Sequence, residues 1–282
     1  MTRKFLFILS LLLTMTLPAV SARTIERNIN KVEGGYNFLF SAPENTDTIK
    51  PLVVFLHGAS CCGRNLDSAK RYGTMNAVER GRKIDAYVIA PQNPGGAWKP
   101  ERIKKLVDWT KAHYKVDPAR IYVVGMSLGG YGTIDYAATY PDEVAAAVGM
   151  CGGASVKDLS GLSKLPLWII HGTADSAVPV SQSDRVVKAI DDVDSTRLVY
   201  DRIPGMNHSR PARIFYLPEL YDWLFEHSLN EAGRPLHACA EITEGLMKTA
   251  YQGTHQTYRA TKSHKTSKTH KTRKTRKSRK KR

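Results

Sequence analysis

From residue 51 the chain alternates between short unbroken apolar runs and longer mixed stretches. Leu52-Val53-Val54-Phe55-Leu56 is one such run and ends at His57-Gly58; Ala86–Ala90 is another, stopped by Pro91. Ile121–Gly125, Val144–Met150 and Leu167–Ile170 continue the series, and Arg197–Ile203 predicts a further strand. Runs without polar alternation suit strands covered on both faces, because both rows of side chains then meet apolar neighbours. Tyr36–Phe40 predicts a further strand before Pro43.

The stretches between these runs carry helical periodicity. Pro100 opens one helix, with Ile103, Leu106, Val107 and Thr110 on one face. A second is predicted over about 128–139, ending before Pro141, and a third over about 181–192. A fourth, about 212–227, is amphipathic through Ile214, Leu217, Leu220, Tyr221 and Leu224, with a kink expected at Pro218. Strand–helix alternation across 51–228 predicts an α/β fold with a mostly parallel central sheet and helices on both faces. Residues 229–258 are weakly patterned and are expected to pack on the surface or fray.

The two ends follow other rules. Arg3-Lys4, an apolar run from Phe5 to Leu17, Pro18 and the small residues Val20-Ser21-Ala22 make the three-part pattern of a secretory leader. The run falls short of the roughly 20 residues a spanning helix needs. Residues 1–22 are therefore expected to be a signal peptide, removed near Ala22 on export to a periplasm or the exterior. From Lys262 the chain repeats in triplets, each opened by Lys, with no apolar residue. Such a segment cannot bury enough surface to offset its ordering entropy, so 259–282 is expected to be a disordered basic tail.

Composition changes the picture through charge. The 282 residues carry a net charge of +16, which by itself suggests a nucleic-acid binder. Thirteen of the positive residues lie in 259–282 and two in the leader, with no acid in either, so 23–258 is nearly neutral. The tail suits salt-sensitive contact with an anionic surface or polymer. It has no aromatic residue for base stacking, so specific nucleic-acid recognition is not implied. The length accommodates one large α/β domain, 23–258 with its core at about 36–228. Four cysteines, Cys61, Cys62, Cys151 and Cys239, allow two disulfides in an oxidising compartment, or four free thiols. No Cys/His spacing suggests a zinc site, and no metal is expected.

Gly125-Met126-Ser127-Leu128-Gly129 stands between a predicted strand and a predicted helix. That context makes the G-x-S-x-G pattern a nucleophile elbow: a sharp turn lifts the hydroxyl above the sheet, and small flanking residues let strand and helix approach. Ser127 would also sit at a helix N-terminus, which favours developing negative charge. A serine nucleophile needs a base, and the base an orienting acid. Asp175, on the loop after the 167–170 strand, and His208, after the next strand, supply them in the order Ser, acid, His. Asp184 is a poorer acid because it falls within a helix. Among other histidines, His57 and His171 end strands and are expected to shape loops, and His113 and His227 are expected to be solvated near helix ends. The oxyanion hole is assigned to the amides of Leu128 and Ala59, the latter after the His57-Gly58 turn. Short spacings from Ser127 to Asp175 and on to His208 leave little room for a cap, so the site should be open. Trp98, on the loop 91–98, is a candidate for stacking on a sugar or aryl group.

Leu56-His57-Gly58-Ala59, Gly125-Met126-Ser127-Leu128-Gly129-Gly130, His171-Gly172-Thr173-Ala174-Asp175 and the late His208 resemble the α/β-hydrolase fold. Within it the chain resembles secreted polyhydroxybutyrate-depolymerase-like and feruloyl-esterase-like carbohydrate esterases and related predicted peptidases, over roughly 36–228. The resemblance implies hydrolysis through an acyl-enzyme with no metal or organic cofactor. It implies an ester substrate, feruloyl or acetyl on polysaccharide, with a prolyl-oligopeptidase-like peptidase or a polyester depolymerase as alternatives. A non-enzymatic surface-binding protein using the tail is the alternative of a different class. Cys61-Cys62, behind the oxyanion turn, is expected to stiffen the site through a disulfide to Cys151.

Overall fold

A computed structural model describes residues 23–254; the segment 1–22, expected to be a signal peptide, and the segment 259–282, expected to be a basic tail, lie outside the described residues. In chain order the strands are β1 (Glu26–Asn28), β2 (Phe38–Ser41), β3 (Lys50–Leu56), β4 (Tyr87–Pro91), β5 (Val116–Met126), β6 (Ala146–Met150), β7 (Leu167–Gly172) and β8 (Leu198–Ile203). The helices are α1 (Thr74–Glu79), α2 (Pro100–His113), α3 (Leu128–Thr139), α4 (Ser181–Asp191), α5 (Pro218–Phe225) and α6 (Glu244–Thr249). All the strands join one sheet in the order β1-β2-β4-β3-β5-β6-β7-β8. The β1–β2 and β2–β4 pairs are antiparallel and the others parallel.

The unbroken apolar runs are explained by two cores, one on each face of the sheet. Val53, Phe55, Val88, Ala90, Tyr122, Val124, Trp168 and Ile170 point to one face, under α1, α5 and α6. Leu52, Val54, Leu56, Tyr87, Ile89, Ile121, Val123, Leu167 and Ile169 point to the other, under α2, α3 and α4. Successive strand residues face opposite sides, so a strand buried on both faces must be apolar throughout.

Two expectations are corrected. The segment over 212–227 is not one kinked helix: a 3-10 turn spans Arg210–Tyr216 and α5 begins at Pro218. Proline lacks the amide that a first-turn position does not use, so it starts a helix here rather than bending one. His227 is not solvated. It is 1% exposed, its Nδ1 donates to the Trp223 carbonyl at 2.8 Å, and its Nε2 accepts the His237 amide at 3.2 Å. The elements β1, α1 and α6 went unread because each is at most six residues, too short for a periodic signature. No helix among the described residues is long and apolar enough to cross a membrane.

The chain runs from β3 to β4 on one side and on to β5 on the other, so the strand order reverses at β3. In an open α/β sheet the crevice beyond the carboxyl ends at such a reversal is where ligands bind. The ends of β3, β5, β7 and β8 carry Ala59, Ser127, Asp175 and His208 respectively.

Candidate active site

Ser127 lies between β5 and α3 with φ 60° and ψ −124°, a conformation L-residues rarely adopt. Such backbone costs roughly 1–3 kcal/mol and persists only where the surroundings impose it. Here the Ser127 amide donates to the Met150 carbonyl at 2.8 Å, and the Ser127 carbonyl accepts the Tyr131 amide at 3.0 Å. The flanking glycines are dictated by space. A Cβ on Gly129 would collide with the carbonyl of Leu56, and one on Gly125 with that of Gly129. The elbow thus needs the strand, the helix and the end of β3 in direct backbone contact.

Ser127, Asp175 and His208, predicted from separate strand ends, are brought together. His208 Nε2 is 3.0 Å from Ser127 Oγ, and His208 Nδ1 is 2.6 Å from Asp175 Oδ2. The other Asp175 oxygen accepts the amides of Ala177 at 2.9 Å and Val178 at 2.8 Å. The Asp175 side chain is fully buried, whereas His208 remains partly accessible. Burial alone would raise the Asp175 carboxyl; the Val178 amide, His208 and the Ala177 amide outweigh it and hold the carboxyl below its ordinary value.

Behind Asp175 stand two residues that sequence reasoning did not connect to it. His171 Nε2 lies 3.2 Å from Asp175 Oδ2 and 2.9 Å from the Val178 carbonyl, and its Nδ1 lies 2.8 Å from Ser183 Oγ. Cys151 turns out of β6 with φ 48°, and the ligating atoms of Cys151, His171 and Asp175 all fall within 4.8 Å of one another. Burial, and then the neighbouring Asp175, push the Cys151 thiol well above its ordinary value. As a metal donor set the trio is already committed: Asp175 serves His208, and His171 serves Val178 and Ser183. The disulfide expected between this thiol and the Cys61-Cys62 pair is not present. All four cysteines are free; Cys61 Sγ neighbours Ser60 Oγ at 4.0 Å, while Cys151 faces Asp175 and His171.

The loop after β3 is a single 3-10 turn, Ala59–Cys61, closed by the Cys61 amide on the Gly58 carbonyl at 3.1 Å. The buried Gln92 side chain braces it from β4 by donating to the Cys61 carbonyl at 2.7 Å. His57 shapes this loop, donating through Nδ1 to the Gly58 carbonyl at 2.9 Å and accepting the Asn93 amide through Nε2 at 3.1 Å. Burial lowers its pKa, and with both nitrogens occupied it is no general base. Neither the Ala59 nor the Leu128 amide has an acceptor among the described residues. Both residues line the cleft that holds Ser127 and His208, of about 610 Å³.

Most of that cleft is apolar or aromatic: Tyr72, Met126, Leu128, Tyr131, Val178 and Ala212 contribute to its wall. Trp98 does not. It is 2% exposed, donates Nε1 to the His57 carbonyl at 3.3 Å, packs edge-on against Tyr36 and His57, and closes on Gly132. The aromatic of this loop therefore fills the core beneath it rather than reaching a ligand. Tyr72 was missed, because it sits in a short irregular stretch between a 3-10 turn and α1, where neither period nor motif marks it.

Comparison with known proteins is consistent with this geometry. The model of the dienelactone hydrolase family matches residues 86–210, a span that includes Ser127, Asp175 and His208. The chain is 27% identical over 259 residues to poly(3-hydroxyalkanoate) depolymerase C of Paucimonas lemoignei, covering 73% of this chain and 61% of that one. It is 28% identical over 176 residues to acetylxylan esterase A of Talaromyces purpureogenus, covering 51% of this chain and 44% of the relative. Among solved structures, a thermostable esterase is 27% identical with a TM-score of 0.59, covering 73% of this chain and 63% of its own. A feruloyl esterase module from Clostridium thermocellum, 13% identical with a TM-score of 0.56, covers 79% of this chain and 91% of its own, and shares the fold. The chain thus spans about three fifths of the depolymerase's length.

Proposed function

We propose that the chain is an α/β-hydrolase, a serine hydrolase of carboxylic esters acting through an acyl-enzyme. The observation that carries this reading is the hydrogen-bonded line Ser127 Oγ, His208, Asp175, with spacings of 3.0 and 2.6 Å. His208 takes the Ser127 proton through Nε2 as Oγ attacks the ester carbonyl. Asp175 fixes the proton on Nδ1 and stabilises the imidazolium that forms. The Leu128 and Ala59 amides receive the charge that develops on the carbonyl oxygen. His208 then returns the proton to the leaving alcohol, and water, activated by the same histidine, cleaves the acyl-enzyme.

The substrate class we propose is an acyl group, feruloyl or acetyl, carried on a polysaccharide. The similarity to acetylxylan esterases and the open, aromatic-walled cleft support it. A polyester substrate is the second reading, favoured by the larger share of the chain matched by the depolymerase. In the same proposal residues 1–22 direct export and 259–282 hold the enzyme on an anionic surface.

The test is Ser127→Ala assayed on p-nitrophenyl acetate: turnover should vanish, and retention of most activity would overturn the reading. Acetylated xylan, methyl ferulate, poly(3-hydroxybutyrate) and a prolyl peptide, offered side by side, separate the substrate classes. Deleting 259–282 should leave small-ester turnover intact and abolish salt-sensitive retention on anionic polymer.

A further inference from the structure

Tyr72 is a half-buried phenol at the edge of the catalytic cleft, contributed by the irregular stretch just ahead of α1. Its oxygen accepts the Gly58 amide at 2.6 Å. Its own proton has no acceptor among the described residues: no side-chain or backbone oxygen there stands in hydrogen-bonding position to receive it. A polar hydrogen left free at the wall of a cleft is a donor waiting for a ligand atom.

Its position narrows what that atom is. A Cβ placed on Gly58 would lie 2.9 Å from Tyr72 Oη and 3.3 Å from Ser127 Cβ, so the phenol and the nucleophile flank the same glycine. The next residue is Ala59, whose amide is also free. Tyr72, Ala59 and Leu128 thus bring three unspent donors around Ser127. The Gly58 amide meanwhile is spent on Tyr72 and is not itself available to substrate.

We propose that the Tyr72 hydroxyl is a catalytic hydrogen-bond donor to the oxyanion formed when Ser127 attacks an ester carbonyl. The inference rests on the serine-hydrolase reading above. In the step concerned, the Ser127 Oγ–carbon bond forms, the carbonyl π pair moves onto oxygen, and the Ser127 proton goes to His208. Tyr72 shares its proton with the new oxyanion and does not give it up. Two features suit it to the task. Burial keeps the phenol protonated far above its ordinary range, so the donor persists at every working pH. The Gly58 amide donating into the same oxygen polarises the O–H bond, and hydrogen bonds in a chain strengthen one another. A side-chain donor also lets the loop after β3 keep its tight 3-10 turn without turning a second amide inward.

The experiment is Tyr72→Phe, which keeps the ring and removes the hydroxyl. Loss of one oxyanion donor typically lowers kcat by about 10²–10³-fold. For p-nitrophenyl acetate we expect a fall of tens- to hundreds-fold in kcat with KM within about threefold of wild type, that is, loss confined to the transition state. A trifluoromethyl ketone, which forms a tetrahedral adduct on Ser127, should lose affinity in the same proportion, while a planar product carboxylate should not. A purely structural role for Tyr72 would weaken both ligands alike and raise KM. Parallel losses, or kcat within twofold of wild type, overturn the proposal. If Tyr72→Phe does not fold, the wild-type ketone adduct decides: its oxyanion should lie about 3 Å from Tyr72 Oη, and a separation beyond hydrogen-bonding reach refutes the role. Abolished turnover in Ser127→Ala together with normal turnover in Tyr72→Phe would sink this inference alone; retained turnover in Ser127→Ala would sink the hydrolase reading beneath it.

Discussion

Asp175 and His208 meet at 2.6 Å through Oδ2 and Nδ1, while the second oxygen of Asp175 is saturated by two amides from its own loop. The carboxylate therefore has one fixed orientation, and through it the imidazole has one tautomer, with its Nε2 lone pair toward Ser127.

Asp175→Asn should break that chain of consequence. With the amide oxygen held by Ala177 and Val178, the amide nitrogen faces His208 Nδ1 as a donor. The histidine then carries its proton on Nε2, against Ser127, and cannot act as a base. In comparable triads this change lowers kcat by about 10⁴-fold. Steady-state turnover of p-nitrophenyl acetate measures it, and a loss under tenfold would show that Asp175 does not set the tautomer.

Trp98→Ala is expected to act on stability and not on substrate. Removing a buried tryptophan costs about 3–5 kcal/mol, and here it also frees the His57 carbonyl and uncovers Gly132. Denaturant unfolding should register that loss while KM for small esters stays within about twofold. A raised KM with unchanged stability would return Trp98 to the substrate.

The contrast between Trp98 and the three strand-end residues explains what the sequence made legible. The parallel sheet was readable because strands buried on both faces must be apolar at every position, as Leu52–Leu56 and Leu167–Ile170 are. Ser127 was readable because its turn demands Gly125 and Gly129, and Asp175 and His208 because each follows its own strand. What depended on tertiary packing was not readable. Whether a loop tryptophan turns inward is decided by Gly132, thirty-odd residues on, and nothing local announces it. Tyr72 touches Gly58 through a turn with no period, and Cys151 meets Asp175 only because β6 and β7 are neighbours.

The elbow glycines should tolerate nothing larger. Gly129→Ala places a methyl on the Leu56 carbonyl, so strand, helix or both must move. Overpacking of this kind costs about 1–3 kcal/mol and more when backbone is the obstacle. Gly245→Ala, in α6, is the counterpart: its Cβ would meet only Thr243 Oγ1 at 3.5 Å. Alanine there should be neutral or should stabilise by roughly 0.5–1 kcal/mol, since glycine loses the most entropy in a helix. Thermal melting should show a clear loss for Gly129→Ala and none for Gly245→Ala; an unchanged melting temperature for Gly129→Ala would mean that its clash is relieved by simple relaxation.

His227 should make the fold acid-sensitive well above the carboxylate range. Burial, chiefly, lowers its pKa from 6.5 to about 4, with neighbouring His237 and Arg234 acting the same way and Glu231 and the Trp223 carbonyl opposing. The hydrogen bonds explain the sign: Nδ1 already donates to Trp223, and a proton on Nε2 would point at the His237 amide that now donates to it. The unfolded chain binds this proton near pH 6.5 and the folded one only near pH 4. Stability from His227 is therefore complete above pH 6.5, falls progressively as pH drops toward 4, and levels off below that. His227→Gln preserves one donor and one acceptor without a titrating group. Its melting temperature should fall less steeply than that of the wild type between pH 6.5 and 4. Superimposable slopes for the two proteins would place the acid sensitivity elsewhere.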